Sequence, residues 1–527
     1  MRVKLGSGGA IHDALRLDVQ MGALYGPRAL LHMSGVWAWR GLGFALVYGL
    51  LTVGIGRLSD VNDDAFISFR YARHLVEGVG LVFNQGERVE GYTNFLWTLL
   101  MAAGYALGFD LPRLSQVLGA LAAAGTACLL VAFSRRRFAD HPFALHYLAA
   151  GLLVTEPLFV HNAGNGLETT LFTLLVTASV LSWAGHDEPD GRPWRTGVLL
   201  GLSYLARPDA VLWLAVVGAL DLVDMARAPA RRAARLRCVV AYTAAFALLA
   251  VPHVAWRIWY YGDWVPNTYW VKGFSNWTWG ARSLLEFGPA MGLMTAVALV
   301  VGPFVLRARW ATCAALIVAI DLIFILRNGG GGGRYEVPLL PLVYLLLQET
   351  VGWVLAHARG RRPVWAGAAA AVVLALALVN VAHEWNGMVA SAGFSRVSTR
   401  ANVQLAHCLA RATEPGDTVA VIAAGVLPYY LERPVVDMLG LNDRHIAKLG
   451  HVSYASPAGH QRFDAEYVIE RRPRVVRISE ASPRLIGAVA SLLDSAEFRR
   501  RYVEVPFRCE GVTVPLFVDR ERPLAES

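Results

Sequence analysis

Charge is scarce in this chain. Only 17% of its 527 residues are Asp, Glu, Lys or Arg, against about 25% in an ordinary soluble domain. The length would otherwise suggest roughly three or four soluble domains, and their water-facing surface needs more charge than that. Cysteine is scarcer still: Cys128, Cys238, Cys313, Cys408 and Cys509 are the five. None forms a CxxC, so no zinc or redox motif is present. The first three lie in apolar runs. Cys408 and Cys509 share the C-terminal region. They either pair across an oxidising compartment or are two unrelated buried thiols. Basic stretches interleaved with aromatics in a polar setting are also missing, so the net charge of +9 reads as membrane-flanking loops and not as nucleic-acid binding. Disorder is excluded by a hydrophobic share of 55%.

What is present is a series of long apolar runs. A helix needs about 20 apolar residues to cross a bilayer. Runs of that kind fall near 36–56, 112–133, 143–161, 167–185, 195–206, 209–223, 238–256, 287–306, 311–327, 336–356 and 363–383, which makes eleven spans. The fold class expected is a polytopic α-helical membrane protein. Residues 1–35 are polar and mixed, lack the compact core of a signal peptide, and read as a cytoplasmic segment. The run 95–108 is short and reads as re-entrant or interfacial. With it not crossing, the clusters Arg135–Arg137, Arg227–Arg237, Arg307–Arg309 and Arg359–Arg362 all fall on the cytoplasmic side with the N-terminus. The transmembrane region then covers 36–384, and residues 385–527 lie outside.

From residue 385 the charge rises and the long runs stop. Residues 398–412 read as a helix, 418–424 as a strand, 459–471 as a helical stretch, 473–479 as a strand and 501–519 as a terminal hairpin. This is a small extracytoplasmic α/β domain.

The loops between the spans gather charge on the outer face. They hold Asp63, Asp64, Glu90, Glu168, Arg207, Asp209, Asp263, Lys272 and Arg334. The loop 57–92 is the first of them. Asp63 and Asp64 open an amphipathic helical stretch, AFISFRYARHLVEG. They read as an N-terminal pair favoured by the helix dipole, or as a general base toward a sugar hydroxyl. Adjacent carboxylates point about 100° apart on a helix, so one alone reaches a reacting centre. They are not the spaced acidic pair that would hold a metal. Asp321 stands inside a span, where a charge is costly; it reads either as structurally paired with an inward-facing Arg or Ser or as a functional group. Transporters put working charges near the midplane, often within inverted repeats. No internal repeat is visible here.

The segment DDAFISFRYARHLVEGVGLVFNQGERVEGYTN resembles the first outer loop of GT-C glycosyltransferases, and VFNQGERVE resembles the mycobacterial terminal arabinofuranosyltransferases in particular. The resemblance continues through GLETTLFTLL, ARPDA, YYGDWVPNTYWVK, RYEVPLLP and VVDMLGLNDRHIA. It implies transfer of a sugar, such as a pentofuranose, from a polyprenyl-phosphate donor to a glycan or lipid acceptor outside the cytoplasmic membrane. It also implies that Asp63 or Asp64 is the catalytic carboxylate. The carrier's phosphate needs cations at the membrane surface, and Arg207, Lys272 and Arg334 are available. Glu90, Tyr92, Asn94, Glu168, Asp209, Asp263, Asn267 and Tyr335 are the candidate substrate contacts. Competing readings stand beside these. Arg207 pairs with Asp209, Lys272 is an interfacial lysine, Glu168 serves a helix dipole, and Asp263 and Asn267 shape a turn. No cofactor is implied, and divalent-metal dependence stays open. The loop before RYEVPLLP reads NGGGGGR, with glycines where relatives often carry an Asp. The alternatives to a transferase are a flippase for lipid-linked sugars and a catalytically silent envelope scaffold.

Overall fold

The computed structural model describes residues 43, 45, 47–138, 143–187, 191–273, 277–286, 288–301, 308–328, 333–358, 363–454, 456, 459–478 and 487–524. The chain divides at 50/51, and the part from residue 51 on holds the helix bundle, the sheet and the candidate site. The segment 1–35 lies outside the described residues, as do 36–42, 44 and 46 of the expected span 36–56 and the glycines 329–332.

Helices dominate. Among the described residues five are long and apolar enough to cross a membrane: Leu111–Arg137, Pro229–Tyr261, Arg309–Arg327, Val337–Ala356 and Ala371–Ala412. This is an integral membrane protein. The helices Thr169–Ala184, Pro193–Ala206, Ala210–Arg227 and Gly288–Val301 fall on other expected runs and are shorter. Phe95–Ala106 has 12 residues, about 18 Å at 1.5 Å per residue, too short to cross the bilayer core alone. The expected span 143–161 is not one rod. Ala144–Thr155 and Pro157–Gly164 meet at 61°, because Pro157 has no N–H to continue the ladder. Glu156 sits at the break, 2% exposed. Its carboxylate accepts from the Tyr344 hydroxyl at 2.6 Å and from Asn380 Nδ2 at 3.0 Å. Asp321 is likewise partnered within the bundle: Trp213 Nε1 donates to it at 3.0 Å, and the charge of Arg207 acts on it.

The helix Pro363–Ala412 runs 50 residues without a break. The composition change at 385 therefore falls inside a helix, and 398–412 is its last stretch. Beyond it lie β1 (Val419–Val421), β2 (Val435–Asp437), β3 (His451–Val452), β4 (Arg462–Phe463), β5 (Val475–Arg477), β6 (Tyr502–Cys509) and β7 (Val512–Asp519). The main sheet has the order β2-β1-β5-β7-β6. β1 is parallel to β2 and β5, while β7 is antiparallel to β5 and β6. The helical stretch expected at 459–471 is instead β4 followed by the helix Ala465–Glu470. Cys408 and Cys509 are joined by a disulfide across 101 residues. It ties the end of the long helix to the β6–β7 hairpin.

Alternation along the strands gives the sheet two apolar faces. Ala420, Val436 and Val476 pack with Ile469, Val489 and Phe498 of the sheet's own helices. Val419, Val421, Val475, Leu516 and Val518 pack instead with Leu405 and Leu409 of the long helix and with Ile67, Tyr71, Leu81 and Phe83 of the first long loop. That loop is thus the floor on which the sheet rests.

Candidate active site

The helix Asp63–Val76 starts at Asn62, whose side-chain oxygen accepts from the Asp64 N–H at 2.9 Å. Asn62 is therefore the cap, and the two aspartates are free for other partners. They take different ones. Asp63 accepts from the backbone N–H of Gly425 at 2.9 Å and of Val426 at 2.8 Å. A Cβ at Gly425 would collide with the Asp63 carbonyl oxygen, so only glycine permits this approach. Burial lifts the Asp63 carboxyl to about 6, against the pull of the two N–H donors. Asp64 instead faces Arg334, with 3.4 Å between Oδ2 and Nη1, and its side chain stays 46% exposed.

Around Arg334 the chain assembles a compact set of charges. Arg207 donates to the Arg334 carbonyl at 2.9 Å. It pairs with both oxygens of Asp209, at 3.1 and 2.7 Å. Its guanidinium lies 4.9 Å from the centre of the Phe172 ring and 4.6 Å from that of Tyr335. The chain can place a 3%-exposed arginine here because Pro208 ends the preceding helix and Asp209 stands two residues on. Glu168 accepts from Asn94 Nδ2 at 2.7 Å. Asn94 Oδ1 in turn accepts from Ser68 and Thr98. Glu168 precedes Thr169–Ala184 but makes no side-chain cap, so a capping role is not what the structure shows. Its charge acts on both Arg207 and Arg334. Two buried polar atoms in this set, Arg334 Nε and Glu168 Oε1, have no hydrogen-bond partner among the described residues. A buried donor left without a partner costs about 1–3 kcal/mol, and a ligand oxygen would satisfy it.

Other candidates lie elsewhere. Glu90 forms a two-pronged pair with Arg257, at 2.6 and 3.1 Å. Tyr92 packs against Tyr71 and shares a 3.2 Å hydroxyl contact with Tyr261. Asp263 pairs with Lys448 at 2.5 Å. Asn267 Nδ2 reaches the carbonyls of Gly440, Leu441 and Asp443. Asp263 and Asn267 thus tie the chain to the α/β region and do more than shape a turn. Lys272 is half-buried beside Gly459, and its ammonium makes no ion pair among the described residues. Tyr335 belongs to the Arg207 cluster through its ring. Among the described residues no three His, Cys, Asp or Glu converge as a metal site. Asp63 and Asp64 are turned to different partners, the first to Gly425 and Val426 and the second to Arg334.

Sequence reasoning missed the residues that seat the sheet on the loop. Asn84, within VFNQGERVE, uses both ends of its amide on Val435, at 2.7 and 3.0 Å. It thereby pairs with β2, the edge strand of the sheet, which the loop covers. Arg70 donates to the carbonyls of Phe83, Pro428 and Arg433, and Arg73 pairs with Glu432 at 2.6 Å. The signal available was two arginines on a helix otherwise expected to pack apolar neighbours.

The fold is that of the GT-C membrane glycosyltransferases. The structure of ArnT from Cupriavidus metallidurans bound to undecaprenyl phosphate matches with a TM-score of 0.50 over 76% of this chain and 86% of that one, at 16% identity. By sequence the chain is similar to two proteins named terminal β-(1→2)-arabinofuranosyltransferase. The one from Mycobacterium tuberculosis is 32% identical over 42% of this chain and 36% of its own length. The one from Corynebacterium glutamicum is 26% identical over 55% of this chain and 48% of its own. The chain therefore spans less than half the length of either relative. Residues 393–517 match a family described as a domain of unknown function (DUF8728).

Proposed function

We propose that the protein is a membrane glycosyltransferase that moves a pentofuranose such as arabinofuranose from a polyprenyl-phosphate carrier to a cell-envelope glycan or lipid. In this reading the chain crosses the cytoplasmic membrane eleven times. The first long loop, the charge cluster and the α/β region of 385–527 face outward. The disulfide supports that sidedness, because such bonds persist in oxidising compartments.

One observation carries the reaction: half-exposed Asp64 stands opposite Arg334, whose Nε is buried without a partner among the described residues. Asp64 takes the proton of the acceptor hydroxyl as that oxygen bonds to the anomeric carbon. The bond from that carbon to the carrier phosphate breaks, and the phosphate leaves with the electron pair. Arg334 meets the new charge with its free donor. Arg207, locked by Asp209 and two rings, fixes the Arg334 backbone and adds positive field. Asp63 positions Asp64 by anchoring the helix start to Gly425 and Val426. Glu168 and Asn94 line the same cluster and suit a sugar hydroxyl. Glu90, Tyr92, Asp263 and Asn267 lie outside this cluster and hold the first long loop and the segment after it in place, while Lys272 is a further cation for the carrier phosphate.

The test is transfer from a lipid-linked sugar by the purified protein. Asp64→Asn and Arg334→Gln should each lower the rate by about 10²–10⁴. Full activity in both variants would sink the assignment. A flippase would move the lipid-linked sugar across sealed vesicles without transferring it.

A further inference from the structure

A cleft of about 500 Å³ opens between the second half of the first long loop, the end of the helix Arg232–Tyr261 and the α/β region. We infer that it is a binding site for an uncharged oligosaccharide, which would hold the acceptor glycan at a distance from Asp64. As an acceptor site it rests on the transferase reading; as a glycan site it does not.

Size is the first argument. Ligand sites run about 300–1,000 Å³, so this cleft takes several sugar rings and not one. The walls are the second. Trp259 and Tyr260 come from the helix end, and His445 lies on Tyr467, with ring centres 4.1 Å apart and planes 9° from parallel. Partly exposed aromatic rings offer a flat apolar face with a polar edge, which matches the C–H face and hydroxyl rim of a sugar.

Charge decides against an anionic ligand. The lining pairs Arg88 and Arg444 with Glu87 and Asp443, and each is already engaged. Arg88 lies 4.8 Å from the centre of the Tyr260 ring. Arg444 donates to the carbonyls of Arg88 and Tyr261. Glu87 pairs with Arg471 at 3.0 Å, and Asp443 accepts from the Ile446 N–H and the Tyr467 hydroxyl. No excess of cations is left for a phosphate. The remaining lone pairs and N–H groups suit hydroxyls, which both donate and accept. Position is the third argument. The loop that begins with Asp64 also supplies Glu87 and Arg88, so a glycan bound here is carried on the same element as the proposed base.

The experiment titrates the full chain in detergent with a neutral linear pentofuranose hexasaccharide, followed by tryptophan fluorescence. Short-chain phosphatidylglycerol serves as the anionic probe. Saturable, salt-insensitive binding of the hexasaccharide is expected. His445→Ala and Arg88→Ala should each weaken it about tenfold. His445→Phe, which keeps a ring on Tyr467, should hold it within about threefold. Binding that survives both alanine variants, or saturation by phosphatidylglycerol alone, would overturn the site, as would loss of binding in His445→Phe equal to that in His445→Ala. Because no transfer is read, failure here leaves the transferase reading standing, and failure of transfer leaves this site standing.

Discussion

Asp63 and Asp64 are adjacent in the chain and opposite in use. The first hands both carboxylate oxygens to the backbone of Gly425 and Val426, 362 and 363 residues away, while the second keeps an exposed face toward Arg334. A helix turns about 100° per residue, and that rotation separates a positioning carboxylate from a reacting one. Asp63→Asn should therefore behave unlike Asp64→Asn. An amide has one acceptor oxygen and an NH₂ that would meet an N–H head-on. At Asp63 the change should cost about 1–3 kcal/mol and lower the thermal midpoint, whereas Asp64→Asn should leave the midpoint alone. Differential scanning fluorimetry of both variants checks this. Equal midpoints for the two would remove the distinction.

The same carboxyl sets a pH dependence. Burial raises Asp63 from 3.8 to about 6. Between those values the folded chain keeps a proton that the unfolded chain has lost. Stability therefore falls as pH rises through that window and levels off above it. Asp437, the last residue of β2, is raised to about 6 by burial as well and contributes with the same sign. Thermal midpoints measured from about pH 4 to 7 should thus slope downward, and Asp63→Asn should remove part of that slope. A slope that is unchanged in the variant would show that Asp63 does not titrate there.

Much of the fold was legible because its signals are long. Apolar runs announce helices, and the alternation in 501–519 announced the hairpin. What escaped was short or distant. β2, β3 and β4 have two or three residues each, too few for a period. The composition change at 385 marks where apolar surroundings end, not where hydrogen bonding ends, so the continuous helix Pro363–Ala412 was invisible. In the candidate site, Asp64, Arg207, Asp209 and Arg334 stood out as charges in an apolar chain. The partner of Asp63 did not, because backbone N–H groups leave no mark on a sequence. Asn84 was hidden for the same reason: its partner is the main chain of Val435.

Asn84 should matter for stability and not for chemistry. Its amide closes two hydrogen bonds on the edge of β2, where an unpaired strand would otherwise face other chains. Asn84→Ala should cost about 1–3 kcal/mol, and Asn84→Asp should restore only the bond to the Val435 N–H. Both should raise susceptibility to limited proteolysis near 432–440. An Asn84→Ala protein as resistant as the unaltered one would show that the clamp is dispensable.

The disulfide makes a further claim. Joining residues 101 positions apart removes freedom mainly from the unfolded chain and is worth about 2–4 kcal/mol. Cys408→Ser, Cys509→Ser and the double variant should lower stability to similar extents, because any one of them opens the same loop. Cys128, Cys238 and Cys313, which are in no disulfide, should not matter in this comparison. Thiol counting by mass spectrometry, with and without reductant, identifies the bonded pair. Two additional reactive thiols before reduction would contradict it.

The pair between Glu90 and Arg257 gives the sharpest structural test. Both side chains are nearly sealed from solvent, at 2% and 4% exposed. Removing one partner leaves a buried charge alone, which costs about 3–5 kcal/mol. Glu90→Ala and Arg257→Ala should therefore each be strongly destabilising. The double change Glu90→Leu with Arg257→Met leaves no charge behind, so much of the loss should return. The Glu90 backbone carbonyl accepts from the Asn267 N–H, a contact that no side-chain substitution removes. If Glu90 instead bound substrate directly, the double variant would fold but fail to transfer sugar. Recovery of both the thermal midpoint and transfer activity in the double variant would assign Glu90 to the frame that holds the loop against the membrane helix.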